Sequence, residues 1–220
     1  MKLFVIRHGE TEMNRKKILQ GNSDSPLTDE GIQGAKELAK KLESKPFDLI
    51  ISSHLGRALR TAEIIAQGRG LEVIQEPLVA EICFGDWQGK SQEEICIDEV
   101  TRNNYINYFK SPARYIPPEG AESFQDVLGR AGEFLQKMKS YSKSDPNANV
   151  LLVTHGAYIK ALVSVVNNRK IEDFWKEPFI TNLSITVFEI IGDAIRVESE
   201  ADVYHLPGSS SLEKISGHLK

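Results

Sequence analysis

Residues 3–9 read Leu3-Phe4-Val5-Ile6-Arg7-His8-Gly9, a continuous apolar run that stops at two basic side chains. An apolar run without polar alternation is typical of a β-strand that is covered on both faces, as in a sheet between layers of helices. The same pattern occurs in Leu49-Ile50-Ile51 and in Val150-Leu151-Leu152-Val153, and each of these runs also leads into polar residues. We therefore predict a buried strand at each of these places.

Helical patterns lie between and after these strands. Thr28 can cap a helix in which apolar residues recur at helical spacing, and Ser123-Phe124-Gln125-Asp126 resembles a capping box. Strands that alternate with helices predict an α/β fold, a three-layer α/β/α sandwich around a mostly parallel sheet. Near the end of the chain, Gly192-Asp193 separates two apolar runs and predicts a hairpin, which adds an antiparallel edge strand.

The chain carries no internal repeat or long linker, so we predict a single domain over residues 1–220. The segment 88–122 departs from the alternating rhythm because it is rich in aromatic residues, among them Tyr105, Tyr108, Phe109 and Tyr115. We interpret it as a lid-like insertion over the strand ends. Substrate specificity is expected there, because binding residues concentrate on loops that a rigid scaffold holds.

Composition narrows the class of protein. The 220 residues include 27 basic and 31 acidic side chains, which gives a net charge of −4. An acidic balance gives no support for a nucleic-acid partner, and no apolar run approaches the roughly 18 residues of a membrane helix. Two cysteines, Cys83 and Cys96, are too few for a disulfide scaffold. We expect a cytoplasmic protein with no membrane partner, and the sequence leaves a homodimer open.

The first candidate catalytic residues lie at the end of the first predicted strand. His8 follows that strand directly, at the edge where open α/β sheets bind ligands. A neutral imidazole can act as a nucleophile, and the planar donor fork of Arg7 suits phosphate oxygens. Gly9 would let the backbone approach a ligand closely. Taken alone, a histidine and an arginine at a strand end more often form an incidental surface pair.

Two further strand ends strengthen the functional interpretation. Thr154-His155-Gly156 repeats the first arrangement, and residues 52–62 lead from a strand into a helix. The free amides at a helix N-terminus favour an anion, and Arg57 can add a charge-assisted contact there. Arg60, one turn later, is interpreted as an ordinary solvated side chain. We predict that the two imidazoles converge on one phosphate site if their strands are neighbours.

Together these motifs resemble the histidine phosphatase superfamily, also called phosphoglycerate mutase-like proteins. The resemblance extends over most of the chain, in the order of the family, and rests on residues 7–11, 14, 24–28, 52–62, 81–89 and 154–156. It implies the phosphoglycerate mutase-like fold. Within the family, residues 24–28 and Pro117-Pro118-Glu119-Gly120 look more like the phosphatase branch.

The resemblance also implies roles for individual residues. His8 would be the nucleophile and become phosphorylated on a ring nitrogen, while Glu81 would donate a proton to the leaving alcohol. Arg7, Arg57 and His155 would neutralise the phosphoryl group. The residues expected to bind substrate are Asn14, Glu10, Thr11 and Gly156. The expected activity is hydrolysis of a small phosphorylated metabolite, without a metal or another cofactor.

Three alternatives stay open. A cofactor-dependent phosphoglycerate mutase would retain the phosphohistidine and return the phosphoryl group to a sugar acid. A binding module could keep the fold without catalysis, although none of the expected catalytic groups is missing here. A metal hydrolase could use His8 and His155 with carboxylates, but the chain has no metal-ligand pair of the His-Glu-x-x-His kind. The sequence does not name the substrate.

Overall fold

The computed structural model describes residues 1–203, so residues 204–220 of the predicted domain lie outside the described part of the chain. The described strands are Lys2–Arg7 (β1), Leu49–Ser52 (β2), Val73–Gln75 (β3), Asn149–Thr154 (β4), Ile185–Ile191 (β5) and Ala194–Asp202 (β6). The described α-helices are Glu12–Arg15 (α1), Asp29–Lys41 (α2), Gly56–Ala66 (α3), Gln92–Ile95 (α4), Glu99–Lys110 (α5), Phe124–Ser144 (α6) and Gly156–Val166 (α7).

The strands form one mixed sheet in the order β3-β2-β4-β1-β5-β6. β1, β2, β3 and β4 pair in parallel, whereas β5 runs antiparallel to β1 and pairs with β6 in the predicted hairpin. The α/β fold with a mostly parallel sheet is therefore confirmed. The antiparallel pairing begins at β5, which lies between β1 and the edge strand β6.

Helices cover both faces of the sheet. Leu3 and Val5 of β1 pack into one hydrophobic cluster, together with residues of α6 and α7. Phe4 and Ile6, which point to the other face, pack into a second cluster with residues of α2 and α3. Alternate side chains of a single strand thus enter two cores, which explains why the first strand is apolar at every position.

The predicted helix starts are present. The Thr28 side chain accepts a hydrogen bond from the Gly31 amide and caps α2. Ser123 and Asp126 form a reciprocal capping box at the start of α6, as their spacing predicts. These local signals mark where the two helices begin.

The segment 88–122 folds into α4, α5 and a short 3₁₀ turn at Pro112–Arg114. Tyr105, Tyr108 and Tyr115 are buried, and the Tyr108 ring stacks on Phe124 with centroids 5.2 Å apart. The segment is therefore packed onto the body of the protein. Its action as a lid stays a prediction. No helix within residues 1–203 is long and apolar enough to cross a membrane.

Candidate active site

The sheet brings the predicted strand ends together. β1 and β4 are parallel neighbours with Arg7 opposite Thr154, and β2 lies on the other side of β4. Because parallel strands end at the same edge, the segments that follow them meet there. The rings of His8 and His155 have centroids 5.2 Å apart, and Nε of Arg57 lies 3.3 Å from Nε2 of His8.

A cavity of about 400 Å³ opens at this edge. Of the residues expected in the site, six line it: Arg7, His8, Asn14, Arg57, Glu81 and Gly156. His155 is fully buried beside His8. One cavity thus joins the proposed nucleophile, both arginines and the proposed acid.

Glu10 and Thr11 do not line this cavity. A carboxylate oxygen of Glu10 accepts a hydrogen bond from the Thr28 hydroxyl, and the Thr11 hydroxyl caps α1 by accepting from the Asn14 amide. Both side chains therefore stabilise the turn that carries His8. Their contact with substrate stays a prediction.

The hydrogen bonds of His8 determine its tautomer. Nδ1 lies 2.7 Å from the Gly9 carbonyl oxygen, which can only accept, so the ring proton is on Nδ1. Nε2 in turn accepts from the Nε–H group of Arg57. Burial and the neighbouring charges of Arg57 and Arg7 hold the pKa of His8 well below its usual value. His8 is thus a neutral imidazole with an unprotonated Nε2, the state a nucleophile requires.

His155 presents the opposite arrangement. Its Nε2 lies 2.9 Å from the hydroxyl oxygen of Ser53, which also accepts from the Leu55 amide. A hydroxyl oxygen has two lone pairs, so Ser53 can either donate to Nε2 or accept a second hydrogen bond from it. Burial, followed by the positive charge of Arg57, holds the pKa of His155 well below its usual value. Nδ1 is buried and has no hydrogen-bond partner.

The two guanidinium groups are held differently. Arg57 is almost fully buried and donates to the carbonyl oxygens of Gly21 and Ser23 as well as to His8. Arg7 donates through Nη1 to the Ile180 carbonyl oxygen, whereas its buried Nε has no partner. Burial lowers the pKa of both groups, and the Glu81 carboxylate opposes that shift.

Glu81 lies at the N-terminus of α7. Its carboxylate oxygens accept hydrogen bonds from the amides of Ala157 and Tyr158, 3.3 and 3.2 Å away, and from that of Ile82. The helix end therefore fixes the carboxyl group at the wall of the cavity. This placement gives the site a carboxyl group beside the imidazole and the arginines.

Several residues of the site were missed from sequence. Asp24 accepts from the amides of Gly56 and Arg57 and so caps α3, whose own N-cap residue has no capping side chain. Asn182 donates to the His8 carbonyl oxygen. Asp24 belongs to a family motif but carried no assigned role, and no sequence signal singled out Asn182.

The structure gives a reason for glycine at position 9 that the sequence did not predict, and the expected close approach to a ligand stays a prediction. A Cβ atom at this position would lie 2.8 Å from the backbone oxygen of Gly31, closer than real Cβ atoms approach. Glycine is therefore needed here because the backbone of the turn after β1 touches the backbone at the start of α2. Its hydrogen bond from the amide to the Thr61 hydroxyl fixes the turn further.

Two buried nitrogen atoms without a partner lie at this site. The N–H group at Nε of Arg7 has no acceptor, and Nδ1 of His155 has no partner of either kind. A phosphoryl group supplies an acceptor oxygen for Arg7, an acceptor for His155 in the tautomer that carries its proton on Nδ1, and a phosphorus atom for the Nε2 lone pair of His8. The geometry is that of a phosphoryl-transfer protein.

Comparison with known proteins leads to the same class. The histidine phosphatase superfamily (branch 1) matches residues 3–203. A putative phosphoserine phosphatase 2 of Hydrogenobacter thermophilus is 30% identical over 192 residues, which cover 87% of this chain and 91% of the relative. A probable phosphoglycerate mutase GpmB of Cronobacter sakazakii is 35% identical over 167 residues, 76% of this chain and 74% of the relative.

The fold matches as well. The structure of Bacillus stearothermophilus YhfR superposes with a TM-score of 0.85 at 36% identity, covering 93% of this chain and 98% of that one. The chain belongs to the histidine phosphatase superfamily. Further relatives and structures carry the names alpha-ribazole phosphatase and phosphoserine phosphatase. Together with the family, these names support a phosphatase over a mutase.

Proposed function

We propose that the chain is a metal-independent phosphomonoesterase that works through a phosphohistidine on Nε2 of His8, with Glu81 as proton donor. The observation that carries the proposal is the tautomer of His8. Its proton is tied to the Gly9 carbonyl oxygen, and its lone pair lies on the nitrogen that contacts Arg57. A neutral imidazole in this state can attack phosphorus without first losing a proton.

In the first step, the ester phosphate enters the cradle of Arg7, Arg57 and His155. A phosphate oxygen replaces Nε2 of His8 as the acceptor for Arg57, which frees the lone pair. Nε2 attacks phosphorus, the bond from phosphorus to the ester oxygen breaks, and the carboxyl group of Glu81 delivers a proton to that oxygen. The alcohol leaves neutral, because an alkoxide is a poor leaving group at neutral pH.

In the second step, the Glu81 carboxylate accepts a proton from water as the water oxygen attacks the phosphohistidine. The bond between phosphorus and Nε2 breaks, inorganic phosphate leaves, and His8 returns to its neutral state. Glu81 ends the cycle protonated, ready for the next ester. One carboxyl group thus serves as acid in the first step and as base in the second.

Two further parts of the proposal concern the setting of the reaction. We propose a small phosphorylated metabolite as substrate and the cytoplasm as location, which the free thiols of Cys83 and Cys96 support. No three His, Cys, Asp or Glu side chains within residues 1–203 are grouped as metal ligands. Metal independence is part of the proposal, and turnover in the presence of a chelator tests it.

Trapping the intermediate tests the chemistry. The protein is mixed with p-nitrophenyl phosphate in the presence of a chelator and quenched in base, in which phosphohistidine survives. Intact mass spectrometry should show one added phosphoryl group, absent after His8→Ala and retained after His54→Ala, which alters an exposed histidine. Turnover that requires added metal, or that persists in His8→Ala, contradicts the proposal.

A mutase is the second candidate, because a relative at 35% identity carries that name. The two activities differ in the fate of the phosphoryl group, which goes either to water or back to a sugar acid. Rates of phosphate release and of interconversion between 2- and 3-phosphoglycerate should be measured on the same preparation. Faster interconversion would favour the mutase.

A further inference from the structure

The cavity at His8 extends into a region that is walled mostly by apolar side chains. We call it the apolar region, and its walls include Ile18, Leu19, Tyr105, Phe109, Trp175 and Phe179. They come from three separate parts of the chain, namely the loop after α1, helix α5 and the segment before β5. A phosphate ester held at His8 would place its alcohol group against these walls.

The aromatic walls are held in place by packing. Tyr105 and Phe109 lie four residues apart on α5, with ring centroids 5.3 Å apart. Phe109 and Trp175 have centroids 6.0 Å apart, and the indole N–H of Trp175 donates to the Tyr108 carbonyl oxygen over 2.6 Å. The apolar region is therefore already formed before a ligand enters.

A carboxylate on the alcohol group finds little compensation there. Lys160 lines the cavity, but its ammonium group donates to the carbonyl oxygens of Lys176 and Pro178 and to Glu200, and its side chain is 1% exposed. Lys17 is an exposed side chain, and an exposed ion pair stabilises a complex only weakly. Arg7 and Arg57 are needed by the phosphoryl group. A carboxylate among the rings would lose its hydration without a buried partner.

The exposure of Phe179 indicates which kind of ligand would bind more strongly. Its side chain lines the cavity and is 40% exposed, an unusual state for a phenylalanine. An apolar group in the cavity would cover this ring and the half-buried ring of Phe109. Each methylene group that leaves water strengthens binding roughly fourfold.

We infer that the preferred substrates are monophosphate esters of apolar alcohols, either aromatic or medium-chain aliphatic. The inference rests on the proposed phosphatase chemistry at His8 and adds the class of the leaving group. It separates this chain from the phosphoserine phosphatases among its relatives, whose named substrate carries an amino group and a carboxylate.

The test compares esters of primary alcohols, so that leaving-group reactivity varies little. Hexyl phosphate and 3-phenylpropyl phosphate should exceed glycerol 3-phosphate and O-phosphoserine in kcat/KM by at least about tenfold. Equal or faster hydrolysis of the two polar esters overturns the inference while the phosphatase proposal stands. If none of these esters and no p-nitrophenyl phosphate is hydrolysed, the phosphatase proposal itself fails.

A pair of variants tests whether Phe179 causes the preference for apolar esters. Phe179→Ala should lower the ratio of kcat/KM for hexyl phosphate over ethyl phosphate by about tenfold, and Phe179→Leu should retain most of it. Ile116→Ala removes an apolar side chain that is 72% exposed and lies outside the cavity lining, so the ratio should not change. A ratio that is unaffected in Phe179→Ala contradicts the assignment of the apolar region.

Discussion

The Nε–H group of Arg57 donates a hydrogen bond to Nε2 of His8 across 3.3 Å. A guanidinium group is always protonated, so it can only donate, and Nε2 must carry the lone pair. The same cation disfavours protonation of His8, which adds to the effect of burial on its pKa. Arg57 therefore keeps the nucleophile neutral before the substrate binds, and the proposed mechanism then transfers its hydrogen bond to the phosphoryl group.

This double role makes Arg57→Lys informative. Lysine keeps the charge but has no planar donor fork, so it cannot replace the bonds to Gly21, Ser23 and His8 together. We expect kcat to fall by about 10²- to 10³-fold, the usual effect of losing a donor to a reacting group. The matched control is Arg60→Lys, one turn along α3, where the side chain is exposed and pairs with Glu63. Comparable losses in both variants would argue against the role of Arg57.

Asp24 links the arginine to the fold. Its carboxylate accepts from the amides of Gly56 and Arg57 and from Nη1 of Arg57, so it caps α3 and positions the guanidinium group. Asp24→Ala should destabilise the protein by about 1 kcal/mol through loss of the cap. It should also lower kcat by roughly tenfold, because small displacements of a catalytic group slow the reaction strongly.

A conservative variant separates the two effects of Asp24. Asparagine keeps one acceptor oxygen, which can still bond to the amide and Nη1 of Arg57, whereas its NH₂ group would replace the oxygen that accepts from the Gly56 amide. If Asp24 positions Arg57 through these bonds, Asp24→Asn should keep most of the kcat and recover only part of the stability. If charge were decisive, Asp24→Asn would be as slow as Asp24→Ala. Asp29→Ala, at an exposed acid in the first turn of α2, should leave both unchanged. Urea unfolding and steady-state kinetics measure the two quantities.

Local sequence patterns predicted much of this architecture. The apolar runs of β1, β2 and β4 and the caps Thr28 and Ser123 depend on neighbouring residues only, so they can be recognised without the fold. β3 was missed, because it spans Val73–Gln75 only, and Ile74 within it is 53% exposed. A strand so short and so exposed has no apolar run.

The residues that position the catalytic groups are harder to predict from sequence patterns. Asn182 donates to the backbone of His8, which lies 174 positions away along the chain. Asp24 is separated by 33 positions from Arg57. Hydrogen bonds over such separations depend on the strand order, which sequence spacing alone does not determine. His8, Arg57 and His155 were recognisable because each follows a buried strand, whereas their partners follow no such rule.

The role of Glu81 can be tested with the leaving group. Glu81→Gln keeps the size of the side chain but cannot deliver the proton to the ester oxygen. The rate of phosphohistidine formation should therefore fall strongly for an alkyl phosphate and much less for p-nitrophenyl phosphate, whose leaving group needs little protonation. Rapid-quench measurement of this first step avoids the second step, in which the carboxylate acts as base. Equal losses on both esters would argue against Glu81 as the acid.

Burial of the two histidines predicts how stability depends on pH. Their pKa values lie well below 6.5 in the folded protein, mainly because of burial, whereas in the unfolded chain both titrate near the usual value. Below about pH 6.5 the unfolded chain therefore binds more protons than the native protein. The free energy of unfolding should decrease as the pH falls from about 6.5, by at most about 1.4 kcal/mol per pH unit for each histidine.

Removal of one titrating group tests this assignment. In His155→Gln the amide can still bond to Ser53, but only His8 remains to contribute, so the slope between about pH 6.5 and 5.5 should be roughly halved. His54→Gln alters an exposed histidine and should leave the slope as it is. Urea unfolding curves at several pH values give the slope directly. An unchanged slope in His155→Gln would mean that His155 is protonated in the folded protein. It would then donate to phosphate as a cation, and the buried pair would not be neutral.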